Sequence, residues 1–194
     1  MKRIAIFASG SGSNFQAIVD SIKNGTLQVE VRLLVCDKLD AKVIKRAEKE
    51  GIPTFSFFPK SYESKKKYEE AILQVLQTYE VDWVILAGYM RLVGTTLLQA
   101  YEGKIVNIHP SLLPAFPGKD AIGQAFSASV KVTGVTVHFV DAGMDTGPII
   151  DQEAIKIDSL DTYESLQAKI QVIEHELYPK TIQALVMGGN IHEK

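Results

Sequence analysis

The chain has 194 residues, 46% of them hydrophobic and 23% charged, with a formal net charge of −2. That length fits one domain with a full two- or three-layer core, and the near-neutral charge offers no electrostatic footprint for nucleic acid. The single cysteine, Cys36, excludes an internal disulfide framework and fits a reducing cytoplasm.

Residues 4–8 are a continuous apolar run, the pattern of a strand buried on both faces. This run is too short for a signal peptide, and Ser9-Gly10-Ser11-Gly12-Ser13 interrupts it at once. Residues 14–23 place Phe15, Ile18, Val19 and Ile22 at helical spacing. A strand over 29–35 follows, then a charged surface helix over 41–50 that stops at Gly51. A short third strand spans 54–57, and a long amphipathic helix spans 61–79 with Tyr68, Ile72, Val75 and Leu76 on one side. Apolar strands at 81–87 and 104–108 flank a helical stretch at 95–101. A brief helix at 121–126 precedes strands at 130–140 and 149–157, whose short connection predicts an antiparallel or mixed edge. A helix over 162–187 closes the chain, lined by Leu166, Ile170, Ile173 and Leu177, and Pro179 is expected to kink or break it.

Alternating strands and helices predict an α/β, Rossmann-like three-layer fold: a mainly parallel sheet with an antiparallel edge in the C-terminal part. A single domain over 1–194 is expected. No segment approaches the roughly 18 apolar residues of a membrane helix, so no membrane partner is expected.

Two stretches carry chemistry. Gly10, Ser11, Gly12, Ser13 and Asn14 lie between the first strand and the first helix. Glycines allow close backbone approach and a helix N-terminus favours an anion, so a monophosphate site is one reading. The other is a tight turn with Ser13 or Asn14 as a plain N-cap. A dinucleotide fingerprint needs a further glycine where Phe15 stands, and the nucleoside-triphosphate loop has no Gly-Lys-Ser/Thr to support it.

The second stretch is Asn107-Ile108-His109-Pro110, read with Asp145. In a strand, Asn107 and His109 point the same way at its C-terminal end, where parallel α/β sheets keep their ligand sites. An amide, an imidazole and a carboxylate are enough to hold an oxyanion and move a proton. The bland alternative is a strand end with a turn. His138 alternates with Val137 and Phe139 and reads as a structural histidine, while His192 reads as a tail residue. The histidines and the cysteine have no zinc spacing, so no metal is expected.

The chain resembles the folate-dependent glycinamide ribonucleotide formyltransferases of purine biosynthesis. The matching stretches are Ser9-Gly10-Ser11-Gly12-Ser13-Asn14, Ala87-Gly88-Tyr89-Met90-Arg91, Asn107-Ile108-His109-Pro110-Ser111-Leu112-Leu113-Pro114, and His138-Phe139-Val140 leading to Asp145. They occur in the family's order and span nearly the whole chain. The resemblance implies the formyltransferase fold, with a phosphate-binding half over about 1–100 and a catalytic and folate half over about 101–194. It implies formyl transfer from 10-formyltetrahydrofolate, a co-substrate, to the amine of glycinamide ribonucleotide. Asn107, His109 and Asp145 would be catalytic. Gly10, Ser11, Gly12, Ser13 and Asn14 would hold the substrate phosphate, and Glu174 the ribose hydroxyls; by itself Glu174 reads as a solvated helix carboxylate.

The same resemblance assigns Met90, Arg91, Leu92 and Val93 to the folate pocket, with Asp141, Ala142, Gly143 and Met144 closing its other side. Without it, Met90 and Leu92 read as core residues. Lys65 aligns with a basic position that meets the folate tail in some members, and Lys65-Lys66-Lys67 otherwise reads as a solvated face. The segment Phe116-Pro117-Gly118-Lys119-Asp120-Ala121 departs from members with histidine and threonine after the glycine. Two relatives share the Asn-His-Pro motif. The chain's end soon after the last helix disfavours the tRNA-binding domain of methionyl-tRNA formyltransferase. The first strand at Lys2 disfavours the N-terminal domain of formyltetrahydrofolate deformylase, whose hydrolytic chemistry is the alternative. The partners expected are small molecules, in a cytoplasmic monomer or homodimer.

Overall fold

The computed structural model describes residues 1–188, so the expectation for His192 lies outside the described residues. Among them one sheet contains β1 (Lys2–Ala8), β2 (Val29–Cys36), β3 (Thr54–Ser56), β4 (Trp83–Leu86), β5 (Ile105–His109), β6 (Val132–Phe139) and β7 (Ile149–Lys156). Their spatial order is β3-β2-β1-β4-β5-β6-β7. The pairs from β3 to β5 are parallel, while β6 is antiparallel to both β5 and β7. The expected mainly parallel sheet with an antiparallel C-terminal edge is therefore what the chain forms.

Period-two alternation on β1 divides the core. Ile4, Ile6 and Ala8 pack with Phe15 and Ile18 of α1 (Ser13–Lys23) and with Leu177 and Tyr178 of α6 (Tyr163–Val186). Ala5 and Phe7 face the other way, against Ile72 and Leu76 of α3 (Lys65–Thr78) and Leu97 of α4 (Thr95–Ala100). All five β1 residues from Ile4 to Ala8 are fully buried, as a strand covered by helices on both faces must be. The remaining helices are α2 (Lys42–Lys49) and α5 (Ala121–Ser127).

Two expectations need correction. α3 starts at Lys65 rather than 61, because a 3₁₀ turn occupies Pro59–Ser61 and the Ser64 side chain accepts from Lys67 N–H as the N-cap. Pro179 does not break α6, which runs through it from Tyr163 to Val186. Packing on both sides outweighs the lost backbone hydrogen bond: Leu177, Tyr178 and Ile182 are buried, and the Tyr178 hydroxyl donates to the carbonyls of Leu86 and Val106 at 2.8 and 3.1 Å. That phenol ties α6 to β4 and β5, the strands that carry much of the site.

The strand order reverses at β1, which has β2 on one side and β4 on the other. In such sheets ligands bind beyond the carboxyl ends of the strands at this switch point.

Candidate active site

The segment after β1 turns into α1 through Gly12, whose φ of 75° is left-handed. A Cβ there would lie 2.6 Å from Val43 Cγ2, so both conformation and space demand glycine. Gly12 is also the N-cap, and no side chain caps the helix, so neither Ser13 nor Asn14 plays that part. Among the described residues, the N–H groups of Ser11 and Gly12 meet no protein acceptor. Free N–H groups at an uncapped helix start favour an anion, whereas a plain turn with an N-cap would have consumed one of them.

Asn14 is buried, and its Nδ2 donates to Glu174 Oε2 at 3.4 Å while its Oδ1 is left without a partner. Glu174 is only 9% exposed, which corrects the solvated reading. Burial pushes its carboxyl up to about 7, against the opposing hydrogen bond from Asn14.

Beside the loop runs the segment after β4, joined to it by Ser9 N–H donating to the Gly88 carbonyl at 3.0 Å. A buried carboxylate, Asp37, accepts from Ser9 Oγ at 2.5 Å and from Arg91 Nε at 2.7 Å, and Ser9 Oγ accepts from Met90 N–H at 2.9 Å. This network locks the backbone of Met90 and Arg91 against β1 and β2. Met90 and Leu92 are 66% and 49% exposed, not core residues, and Val93 alone of the four is buried. Lys65 is exposed at the start of α3, near Gly94.

The third part forms where β5 meets β6. Asn107 and His138 are direct cross-strand partners, which puts their side chains on one face. Asn107 Nδ2 lies 3.3 Å from His138 Nε2, and His138 Nδ1 lies 2.8 Å from the Phe139 carbonyl. His109 Nε2 lies 2.9 Å from the Phe116 carbonyl. A carbonyl only accepts, so these contacts assign the ring protons: Nδ1–H on His138 and Nε2–H on His109. His138 Nε2 then accepts from Asn107, leaving the second amide hydrogen of Asn107 free.

Asp145, at a left-handed φ of 56°, sits between the two rings. Its Oδ2 accepts from Gly118 N–H at 2.8 Å and faces His109 Nδ1 at 3.4 Å, while Oδ1 lies 3.6 Å from His138 Nε2. Burial pushes this carboxyl up, but the contacts with His138 and Gly118 N–H and the adjacent imidazoles outweigh it and hold Asp145 below its usual range. An ionised Asp145 therefore faces His109 Nδ1.

The turn after β5 is pinned from behind. Thr136 Oγ1 donates to the Ser111 carbonyl at 2.7 Å and accepts from Leu113 N–H at 3.0 Å. Gln152 Nε2 reaches both the Leu113 carbonyl and Thr136 Oγ1 at 2.9 Å. Ser111 Oγ in turn donates to the Ala115 and Phe116 carbonyls at 2.6 and 3.3 Å, which holds the pivot of His109. The segment with unusual Lys119 and Asp120 is built in as well: Asp120 caps α5 through Gly123 N–H and accepts from the Tyr163 hydroxyl. Opposite it, Asp141 folds its own loop by accepting from Gly143 N–H and Thr146 Oγ1, with Asp141, Ala142, Gly143 and Met144 all exposed. Met144 Sδ lies 3.0 Å from where a Cβ on Gly118 would sit, so the two loops touch.

The structure thus brings Asn107, His109 and Asp145 together, and adds His138, which the sequence reading set aside as structural. The available signal was Thr136 and His138 alternating on a strand that could pair beside Asn107 and His109. Among the described residues no group of three or more histidine, cysteine or acidic side chains could hold a metal ion, and no helix is long and apolar enough to cross a membrane.

Comparison with known proteins identifies the family of this fold. The profile of a family described as formyl transferase matches residues 2–182. The chain is 59% identical over 194 residues to phosphoribosylglycinamide formyltransferase of Bacillus subtilis (strain 168), covering all of both chains. It is 39% identical over 187 residues to the trifunctional purine biosynthetic protein adenosine-3 of Gallus gallus, covering 96% of this chain and 19% of that protein. The crystal structure of phosphoribosylglycinamide formyltransferase from Bacillus halodurans superposes with a TM-score of 0.94 at 58% identity, covering all of both chains.

Proposed function

The chain belongs to the formyl transferase family, and on that premise we propose that it transfers a formyl group to the amine of glycinamide ribonucleotide, with 10-formyltetrahydrofolate as donor. The amine attacks the formyl carbon, and negative charge develops on the formyl oxygen in a tetrahedral intermediate. The free amide hydrogen of Asn107 donates to that oxygen, a contact of the kind that contributes about 3–4 kcal/mol. Both nitrogens of His109 are engaged in this arrangement, so its imidazolium acts on the oxyanion by charge. The proton lost by the amine is taken by the Asp145 carboxylate, directly or through water, and is returned to the folate nitrogen as that nitrogen leaves. His138 keeps Asn107 in place.

Gly10, Ser11, Gly12 and Ser13 hold the substrate phosphate through backbone N–H groups, and Asn14 with Glu174 receives the ribose. Met90, Leu92 and Met144 offer exposed apolar surface on two sides of the corner, which suits a flat pterin; Arg91, Val93 and the backbone of 141–143 complete that pocket, with Lys65 toward the tail. The N-terminal half over about 1–100 thus supplies the phosphate loop, and the remainder supplies the catalytic corner.

The observation that carries this reading is the Asp145 carboxylate placed between His109 and His138 beside Asn107. Purified protein mixed with 10-formyltetrahydrofolate, with and without the ribonucleotide, tests it by absorbance of the deformylated folate. Turnover that requires the ribonucleotide, with formylated product confirmed by mass, is expected. Equal turnover without it would make the protein a hydrolase.

A further inference from the structure

The carbonyls of the phosphate loop are taken from outside by α2. Val43 N–H donates to the Gly10 carbonyl at 3.1 Å, and Arg46 Nε donates to the Ser11 carbonyl at 2.8 Å. Arg46 is steadied in turn by Nη1 donating to Gln16 Oε1 at 3.4 Å. A peptide plane whose carbonyl is held on one side turns its N–H to the other. The N–H of Gly12 shares its plane with the Ser11 carbonyl, and the N–H of Ser11 shares its plane with the Gly10 carbonyl. Both belong to the run of loop N–H groups, from Gly10 to Asn14, that meet no acceptor among the described residues.

We propose that Arg46 is a positioning residue for the substrate phosphate: it clamps the Ser11 carbonyl and so aims the Gly12 N–H at the anion. This rests on reading residues 10–14 as the phosphate site. The charge of Arg46 adds to the effect. Arg46, Ser13, Gln16 and His175 line a cavity of about 390 Å³ on the outer side of the loop. His175 Nε2 is buried there without a partner. Burial and the charge of Arg46 hold its imidazole below the ordinary value, so the guanidinium is the cation of this flank.

The test is Arg46→Ala, assayed with three substrates and one simple ligand. KM for glycinamide ribonucleotide and Kd for ribose 5-phosphate by calorimetry should each rise about tenfold, the scale of a charge-assisted hydrogen bond lost. Both kcat and KM for 10-formyltetrahydrofolate should stay within about twofold, and turnover of the unphosphorylated riboside should not change. An equal loss on the riboside, or an unchanged Kd for ribose 5-phosphate, would overturn the assignment. If the alanine variant does not fold, Arg46→Met, which keeps the aliphatic stem, decides by the same measurements. A wild-type protein that does not bind ribose 5-phosphate would instead sink the phosphate reading itself.

Discussion

In the proposed function the phosphate loop and the catalytic corner recognise charge by opposite means. The loop offers backbone N–H groups, and its side chains matter mainly for what they allow: a left-handed φ at Gly12 and no atom between Gly12 and Val43. The corner offers side chains, and its backbone serves to hold them, with the Phe116 and Phe139 carbonyls and the Gly118 N–H each committed to one ring or carboxylate. A backbone site tolerates side-chain change but not a change of shape. A side-chain site keeps its shape and loses its chemistry.

Substitutions at the corner should therefore give the largest kinetic losses with the least structural cost. Asp145→Asn keeps the size of the group but removes the charge facing His109 Nδ1. We expect kcat to fall on the order of 10³–10⁴-fold, as when an imidazole loses its carboxylate partner elsewhere, with folate binding retained. Wild-type-like turnover in that variant would end the proposed mechanism. Asn107→Ala removes one oxyanion donor and should cost about 10²–10³-fold in kcat. Single-turnover rates at saturating substrates would check both. A loss confined to KM would place these residues in binding rather than in the transition state.

At the loop the expected signature reverses. Gly12→Ala forces a Cβ into Val43 at a left-handed φ, so the loop must move. Affinity for ribose 5-phosphate should drop about ten- to hundredfold, stability should fall by about 1–3 kcal/mol, and kcat at saturation should change least. Urea unfolding beside calorimetry would separate the two effects. If kcat fell as far as in Asp145→Asn, the contrast between the two regions would be lost.

The same contrast explains what the sequence disclosed. The loop was legible because glycine spacing after an apolar strand is local information. The fold was legible because β1, with Ile4 to Ala8 wholly buried, has the composition of a strand sandwiched by helices. The types of the corner residues were legible at Asn107, His109 and Asp145, but their partners were not. His138 joins Asn107 only through the β5–β6 register, a long-range pairing. Glu174 is buried because α6 packs across α1, and Pro179 stays helical because Tyr178 anchors that helix to two strands. Met90 and Leu92 read as core by composition, yet the segment after β4 turns them outward beyond the sheet edge. Hydropathy does not distinguish a residue covered by protein from one positioned to be covered by a ligand.

Glu174 sharpens the comparison most finely, because it is a side chain serving the backbone-built end. Its carboxyl is pushed up to about 7 by burial, from 4.5, so the folded state favours the neutral form. Between those two values the native protein binds more protons than the unfolded chain, and stability must decline as pH rises through the window. The full shift corresponds to about 2–4 kcal/mol, lost by pH 8. Glu174→Gln should abolish that slope and be the more stable protein at pH 8, though not at pH 5. Ribose hydroxyls donate better to a carboxylate than to a carboxylic acid, so bound substrate should pull the same group back toward ionisation. Affinity for the ribonucleotide should then rise about tenfold from pH 6 to pH 8 in the wild type and stay flat in Glu174→Gln, after allowance for the phosphate's own titration. Unfolding curves at the two pH values, and calorimetry in buffers of different ionisation enthalpy to count the released proton, would measure both. A wild-type slope that survives in Glu174→Gln would assign the titration to another group and return Glu174 to a packing role.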